Sequence, residues 1–392
     1  MSLQQALARA AAYDPRRAVV DARIAAGEAA VRQAGVRPNP SLGVELENFA
    51  GSGAYSVFDR TEATVSYEQT LERGGKRAAR TGLARAHLEV ARLRGAVRGL
   101  DHLRDAEIAY GEALAAEAEL LIAQARLISL EDSAKDVTRR VKSARDPLFA
   151  GSHAEALVAQ AAIDRDQAQA AAQAAKAALA AYWGGAPDFT LDVTAFFEVA
   201  APTIPDGDIL VPDLQLMAAE RDAALAAVRV EQARAVADPT VRAGVRYFGQ
   251  GDEVALVVGG SIPLRRYDTN RAGVERAQAE RTAAEAELEA ARLVRARQVA
   301  ALLARLNASA RESERIRDEV IPLAIRTVEQ VRAGFARGGF QYSDVANAEK
   351  ALFDARARRI AVLRQHHLDL AVLDRLTGRH AGLVAQTQAE TR

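Results

Sequence analysis

The chain lacks cysteine, long apolar runs and net charge, and it is poor in aromatic residues. The absence of cysteine excludes disulfides, cysteine-based zinc sites and thiol catalysis. The balance of 52 basic and 52 acidic residues gives no basic footprint of the kind expected for nucleic-acid binding. No apolar run reaches the roughly 18 residues of a transmembrane helix. Aromatic residues make up 5% of the chain and alanine, arginine, glutamate and leucine dominate, which is typical of long helices.

The sequence contains an internal duplication. The segment VRPNPSLGV at 36–44 opens a stretch of short alternating runs, and VADPTVRAGV at 236–245 opens a similar stretch in the second half of the chain. Each copy has the order helix, β-hairpin, long helix, turn and long helix. We predict a first repeat over 1–185, an irregular linker over 186–212, a second repeat over 213–378 and a tail over 379–392 with a disordered end.

Two β-hairpins are predicted, at about 41–71 and 240–264, because apolar and polar residues alternate there with a period of two. Each run is near the 9–11 residues with which a tilted strand crosses a bilayer. One face carries glutamates and arginines, and the other is apolar. We therefore predict lipid-facing positions on the apolar face, at Val44, Leu46, Val65, Val245 and Leu256. Alternation is equally typical of a half-buried soluble strand, but two isolated hairpins do not make a stable sheet unless they join other strands.

The remainder of both repeats is predicted to be helical. A first helix runs from about Leu3 to Gly35 with an interruption at Asp14-Pro15, and long helices run over about 76–145 and 270–337, with Pro322 as a kink or boundary in the second. Turns are predicted at 146–151 and 337–340. The return helices are predicted to begin with capping patterns at Ser152 and at Ser343, and to end at Gly184-Gly185 and Gly378.

Four motifs occur in a fixed order along these elements: RPNPSL at 37–42, QTLERGGKR at 69–77, SIPL at 261–264 and GGFQYSDVANAE at 338–349. With the duplication and the helix lengths, they resemble the TolC family of outer-membrane efflux proteins, most nearly its heavy-metal branch of CzcC and CusC type. The resemblance covers nearly the whole chain. It implies a mainly α fold with a small β part, in which long helices form a helical barrel and four strands per chain contribute to a trimeric twelve-stranded transmembrane β-barrel.

The resemblance also implies a place and partners. The homotrimer would sit in the outer-membrane lipid of a Gram-negative bacterium, with its helical barrel in the periplasm. It would passively conduct substrates, heavy-metal cations in this branch, that an inner-membrane RND-type pump exports through a periplasmic adaptor, a membrane fusion protein. Family proteins carry a cleaved signal peptide. The first residues show no signal peptide, so we expect this chain to be the mature form of the protein with a new start residue. A lipid anchor on cysteine is not supported.

The turns of the second and first helical hairpins hold the predicted functional residues. Asp344 would repeat as a ring of three carboxylates that selects cations, with Asn347 one helical turn on; the alternative is that Asp344 only caps a helix. Tyr342 and Arg337 are candidates for a hydrogen-bonded latch between neighbouring helices, or are ordinary turn residues. Candidates for adaptor contact are Phe149, Gly151, Gly338, Gly339 and Phe340, although the phenylalanines could instead pack beneath their turns.

Neither a cofactor nor a metal site is predicted. His366 and His367 are adjacent, so they point to different helix faces, and the other four histidines are scattered in sequence. The sequence pattern shows no nucleophile paired with a base, no phosphate-binding loop and no cluster of metal-ligating residues. We therefore do not predict an enzyme. Two functional alternatives stay open: a soluble periplasmic coiled-coil adaptor or scaffold, and a TolC-type channel for drugs or proteins.

Overall fold

A computed structural model describes residues 1–55, 58–199 and 212–389. The described residues are mainly helical and include one four-stranded sheet. In chain order the elements are α1 (Leu3–Ala12), α2 (Arg17–Ala34), β1 (Ser41–Glu47), β2 (Glu62–Thr70), α3 (Lys76–Lys142), α4 (Leu148–Ala180), α5 (Thr194–Phe197), α6 (Pro212–Arg234), β3 (Thr240–Phe248), β4 (Glu253–Ser261), α7 (Arg271–Arg315), α8 (Ile321–Ala336), α9 (Tyr342–Thr377) and α10 (Ala381–Ala389). None of the helices in the described ranges is both long enough and apolar enough to cross a membrane.

The chain forms two compact units. The helical unit comprises Met1–Pro15, Ala96–Pro212 and Leu293–Arg392, and the sheet unit comprises Arg16–Gly95 and Asp213–Arg292. Each unit draws on both sequence repeats, because the two copies contribute equivalent elements to it. The repeats predicted from sequence are therefore not separate folding units.

The sheet unit contains a single antiparallel sheet with the order β1-β2-β3-β4. The two predicted hairpins are confirmed. They are joined by pairing of β2 with β3, in which Val65 lies opposite Val245. Gly244 permits this pairing, since a Cβ at that position would overlap the backbone of β2. The sheet therefore unites the two repeats in the way that isolated hairpins require.

The helix boundaries largely follow the sequence prediction. The first helix is interrupted around Asp14-Pro15, as predicted, and divides into α1 and α2. The second long helix is also divided: a π-helical turn at Ile316–Val320 lies between α7 and α8, immediately before Pro322. Proline has no backbone N–H, so the regular helical hydrogen-bond pattern is interrupted at a place where one donor is already absent. Gly184 and Gly378 end their helices in left-handed conformations, with φ of 63° and 68°.

Both predicted capping patterns are wrong in position. α4 begins at Leu148 after extended Pro147, so Ser152 lies inside the helix. Proline pre-sets φ and lacks an N–H, which lets a helix begin directly after it without a side-chain cap. α9 begins at Tyr342 with Gln341 as its N-cap, two residues before Ser343.

The linker and tail contain more helix than predicted. α5 lies in the linker, and Phe196 within it is fully buried in the largest core cluster of the helical unit, together with Leu114, Leu179 and Leu363. Residues 200–211 of the linker lie outside the described residues. The tail forms α10, in which Val384 packs against Leu7 and Leu100; the predicted disordered end, 390–392, is not among the described residues.

Candidate functional site: the helical tip and the apolar sheet face

Two connections between helices pack together within the helical unit, and we call this packed pair of turns the tip. One turn joins α3 to α4 and the other joins α8 to α9. Apolar side chains from all four helices bury one another between the turns: Val137, Ala150, Ala154, Phe335, Tyr342 and Val345. Burial of each larger side chain contributes about 1.5–3 kcal/mol. The duplicated turns therefore form one packed structure.

Arg140 connects the two turns of the tip. Its guanidinium donates to both carboxylate oxygens of Asp146, at 2.9 and 3.0 Å, and to the backbone carbonyl of Phe335 at 2.7 Å. It also lies over the Phe335 ring, 4.4 Å from the centroid. The hydrogen bond to Asp146 raises the pKa of Arg140. A cation at the end of α8 is further favoured by the helix dipole.

A buried carboxylate lies beneath the second turn. Glu349 is 1% exposed, and its Oε1 accepts from Ser133 Oγ at 2.6 Å and from Arg332 Nε at 3.0 Å. Arg332 also donates to Ser129 Oγ at 2.9 Å. This network joins α3, α8 and α9 through charge-assisted hydrogen bonds, which are stronger than neutral ones. Sequence analysis found neither Arg140 nor Glu349, because the contacts that join them to the opposite repeat, with Phe335 and Ser133, span about two hundred residues.

Tyr342 is buried in the tip and does not project from it. Its ring lies near His153 and Phe335, with centroid separations of 5.9 and 6.3 Å. Burial, assisted by the charge of Glu349, raises its pKa to about 12. Its hydroxyl has no hydrogen-bond partner among the described residues of this chain. Arg337 is exposed at the end of α8 and does not bond this hydroxyl in the part of the chain that the structure describes, so the latch between neighbouring helices remains a prediction.

Asp344 and Asn347 both lie exposed in the first two turns of α9. Asp344 has the helix-capping role that was the alternative prediction: its carboxylate accepts from the backbone N–H of Gln341 at 2.9 Å. One accepted hydrogen bond leaves acceptor capacity on the carboxylate. The two roles are compatible, and the ring of carboxylates remains a prediction.

Exposed apolar side chains concentrate at the start of α4. Leu148 is 82% exposed and Phe149 is 73% exposed, whereas Gly151, in the same first turns of α4, is partly buried. In the other turn, Phe340 is half-exposed and one side of its ring covers Gly334, where a Cβ would overlap it. Leu148 was not predicted, although an apolar residue directly after Pro147 was a usable signal.

Glycine shapes the turn between α8 and α9. Gly338 has a φ of 85°, a left-handed conformation that glycine adopts without strain. Gly339 then donates its N–H to the carbonyl of Gly334 at 2.9 Å. The turn closes on the end of α8 in this way and presents Phe340 beside it.

A cleft of about 310 Å³ opens at the tip between α3, α8 and α9. Its wall carries charges of both signs, including Asp132, Asp136, Arg139, Arg145 and Arg332, above the apolar floor of Phe335 and Val345. A surface with an apolar base and a charged rim has the composition of a protein-docking site.

The predicted lipid-facing residues form one continuous surface on the sheet. Val44, Val65, Val245 and Leu256 lie opposite one another in a single row across all four strands. Leu46 belongs to the next row of the same face, which continues through Ala63, Tyr247 and Val254. All five predicted residues are exposed, with Leu256 reaching 83%. The sheet therefore presents an uncovered apolar face.

The opposite face of the sheet is polar. Arg246 donates to Glu47 at 2.8 Å, to Glu62 at 2.9 Å and to the hydroxyl of Thr64 at 2.9 Å. Glu62 and Thr64 lie on the neighbouring strand β2, where an opposite charge stabilises the sheet, and Glu47 lies one strand further away, on β1. One face is suited to lipid and the other to water.

Comparisons with known proteins agree with this geometry. The solved structures of CusC and of the outer-membrane channel OprN superpose with TM-scores of 0.78 and 0.77; the matches cover 96% of this chain and 91% and 89% of those chains, at 16% and 18% identity. VceC from Vibrio cholerae matches with a TM-score of 0.74, 20% identity and coverage of 96% of both chains. At these identities the likeness establishes the fold, which is that of outer-membrane channel proteins.

Sequence comparisons identify the family. The family described as outer membrane efflux protein matches residues 210–379. The cobalt-zinc-cadmium resistance protein CzcC of Cupriavidus metallidurans is 28% identical over 97% of this chain and 90% of its own length. The nickel-cobalt-cadmium resistance protein NccC of Alcaligenes xylosoxydans xylosoxydans is 30% identical over 70% of this chain and 62% of its own length. These matches support the resemblance that the motifs predicted: residues 210–379 match the outer membrane efflux protein family, and CzcC is similar over nearly the whole chain. This family is one of channels, so the soluble adaptor is not supported.

Proposed function

We propose that this chain is the outer-membrane channel of a tripartite efflux system and conducts heavy-metal cations passively out of the cell. The observation that carries the proposal is the sheet with one uncovered apolar face and one ion-paired polar face, in a chain that matches this family. The metal assignment rests on the names of the relatives, which are resistance proteins for cobalt, zinc, cadmium and nickel.

Closure of the sheet supports a homotrimer. In one chain, β1 and β4 are the edges of the sheet, and each pairs on one side only among the described strands. Unpaired backbone is costly in a bilayer, so the edges require partners. Pairing of β4 with β1 of the next copy in a ring of three gives a closed twelve-stranded barrel in the outer membrane, with the rows of Val245 facing lipid.

The tip supports docking to a periplasmic adaptor that connects the channel to an inner-membrane pump. Leu148 and Phe149 are exposed at the tip, which also contains a cleft with charged lining residues. Such side chains are a liability on a protein surface unless a partner covers them. Gly151, Gly338, Gly339 and Phe340 belong to the same pair of turns. In this proposal Asp344, Asn347, Arg337 and Tyr342 control passage at the tip, with Asp344 repeated around the three-fold axis.

The proposal is tested in a bacterial strain that contains a cobalt-zinc-cadmium pump and its adaptor but lacks their outer-membrane channel. Expression of this chain with an outer-membrane signal should restore growth in Co²⁺, Zn²⁺ and Cd²⁺ and leave tolerance of hydrophobic drugs unchanged. Restored drug tolerance without metal tolerance would instead support the alternative channel for drugs.

Assembly and docking have separate controls. Light scattering of the purified protein in detergent should give the mass of a trimer, and a detergent-free monomer or dimer would contradict the barrel. Phe149→Asp with Leu148→Ser should abolish metal tolerance while the trimer is retained. The matched variant Ile128→Asp, at a position on α3 that is 60% exposed, should preserve both.

A further inference from the structure

A histidine and two carboxylates from three separate segments meet within the helical unit. Glu107 lies in α3, Asp374 near the end of α9, and His380 in the turn between α9 and α10. His380 Nε2 is 3.2 Å from Glu107 Oε2 and 3.8 Å from Asp374 Oδ2. One ligand atom from each residue lies within 4.8 Å of the others. Sequence analysis treated His380 as isolated, because its neighbours are distant in the chain.

The two carboxylates are strongly buried. The side chains of Glu107 and Asp374 are 6% and 7% exposed. Burial, with repulsion from Glu107, raises the pKa of Asp374 to about 6, against the opposing effects of Arg379 and His380. Arg379 donates to Asp374 at 3.1 Å, but its own side chain is 65% exposed. Burying two adjacent carboxylates is unfavourable without a compensating positive charge, and a solvated arginine provides only part of one.

The spacing of the donor atoms fits a small divalent cation. A tetrahedral zinc site with bonds of about 2.0–2.1 Å places its ligand atoms about 3.3–3.4 Å apart. The two measured separations, 3.2 and 3.8 Å, lie on either side of that value. An imidazole nitrogen with two carboxylate oxygens suits Zn²⁺ and Co²⁺, whereas Mg²⁺ and Ca²⁺ prefer ligand sets made of oxygen alone.

We propose that Glu107, Asp374 and His380 bind one divalent transition-metal ion, such as Zn²⁺, which fastens the C-terminal helix α10 to α3 and α9. The ion would link the turn before α10 to α9 and to α3, which Val384 of α10 already contacts at Leu100 and Gly99. Three protein ligands leave a fourth position for water, so the ion exchanges with solvent. The site stabilises the protein and does not depend on which substrate the channel conducts.

The test uses the full-length protein in detergent, after treatment with a chelator. Titration with Co²⁺, followed by visible absorption, and with Zn²⁺, followed by calorimetry, should show one ion per chain. His380→Ala and Glu107→Gln should each weaken binding at least tenfold. His87→Ala, which removes an exposed histidine elsewhere on α3, should bind as the unaltered protein does. Arg379→Ala should strengthen binding, because it removes a competing cation from Asp374.

Two further measurements keep the outcome decisive. Zn²⁺ should raise the melting temperature of the unaltered protein and of His87→Ala but not of His380→Ala, since a ligand that binds only the folded state stabilises it. If the variants do not fold, X-ray absorption of the Zn²⁺-loaded unaltered protein should show one protein nitrogen and two carboxylate oxygens. Absence of one-to-one binding, a shell without nitrogen, or equal binding by His380→Ala would overturn the site.

Discussion

Lys76 of the first repeat and Asp238 of the second form an ion pair across the sheet unit, with Lys76 Nζ 2.5 Å from Asp238 Oδ2. The other oxygen of Asp238 accepts the backbone N–H of Arg73 at 2.9 Å. Gly74, between them, has a φ of 66° and lies so close to Val236 that a Cβ would overlap its side chain. The motif at 69–77 and the segment that opens the second repeat are thus two halves of one junction.

Asp238→Asn should destabilise that junction by about 1–3 kcal/mol, because the change leaves the mostly buried ammonium of Lys76 without its charged acceptor. Thermal denaturation of the detergent-solubilised protein measures the effect. The control is Asp222→Asn in the same unit, which removes the charged partner of exposed Arg221. It should lower the free energy of unfolding by less than about 1 kcal/mol. Equal losses in the two variants would contradict a special role for Asp238.

Glu349→Gln should loosen the tip locally. The buried carboxylate accepts from Ser133 and Arg332, and its neutral replacement weakens these hydrogen bonds by about 1–3 kcal/mol. Hydrogen exchange should accelerate in 129–142 and 331–352 and stay unchanged in the strands of the sheet unit. Glu319→Gln, which disrupts an exposed pair with Arg315, is the control. Uniform or absent acceleration would show that this network does not hold the tip.

Asp344→Asn should reduce block of the channel by divalent cations, measured as single-channel conductance in planar bilayers. Asparagine keeps an acceptor for the Gln341 N–H, so the substitution removes the charge and retains the cap. Asp354→Asn, at an exposed position further along α9, should leave cation block as it is. A channel in which the two variants behave alike has no carboxylate ring at Asp344.

Val245→Lys should impair assembly by about 2–4 kcal/mol if its row faces the middle of the bilayer. The matched change Ala255→Lys lies on the opposite face of the sheet, in the row of Arg246, and should assemble normally. Detergent-resistant trimers on gels report assembly. Normal assembly of Val245→Lys together with failure of Ala255→Lys would mean that the two faces are reversed.

The stability of the helical unit should fall between pH 6.5 and pH 4 through His366. Burial, assisted by neighbouring His367, lowers the pKa of His366 to about 4, against a smaller opposing effect of Asp369. The unfolded chain binds this proton near pH 6.5 and the folded chain resists it, so the stability is present above pH 6.5 and is lost on acidification, by at most about 1.4 kcal/mol per pH unit.

Thermal melts at pH 7.5 and pH 5.0 check this prediction. In His366→Gln the side-chain amide can still hydrogen-bond the Ser309 hydroxyl, which lies 2.9 Å from the His366 ring. This variant should therefore lose less stability than the unaltered protein between the two pH values. His87→Gln, at an exposed position, should retain the full loss. An identical pH dependence in all three proteins would exclude His366 as its source.

Local patterns predicted most of the fold. Alternation located Val65 and Val245 on the same face, and glycines located the ends of α4 and α9. The helix starts were misplaced because serine is a frequent cap, whereas α4 begins after Pro147 by backbone conformation and α9 begins with a capping box between Gln341 and Asp344. Contacts between distant residues, such as Arg140 with Phe335 or Glu107 with His380, leave no periodic trace in a single sequence.

The π-helical turn at Ile316–Val320 sets how the residues of α8 are rotated about the helix axis relative to those of α7. Such a turn holds one residue more than a turn of α-helix, and each added residue rotates everything beyond it by about 100°. Arg332, which donates to Glu349, lies on α8 beyond the π-helical turn at Ile316–Val320. We therefore expect the rotation of α8 about its axis to depend on the number of residues in Ile316–Val320. A one-residue deletion there should turn Arg332 away from Glu349 without altering any residue of the tip.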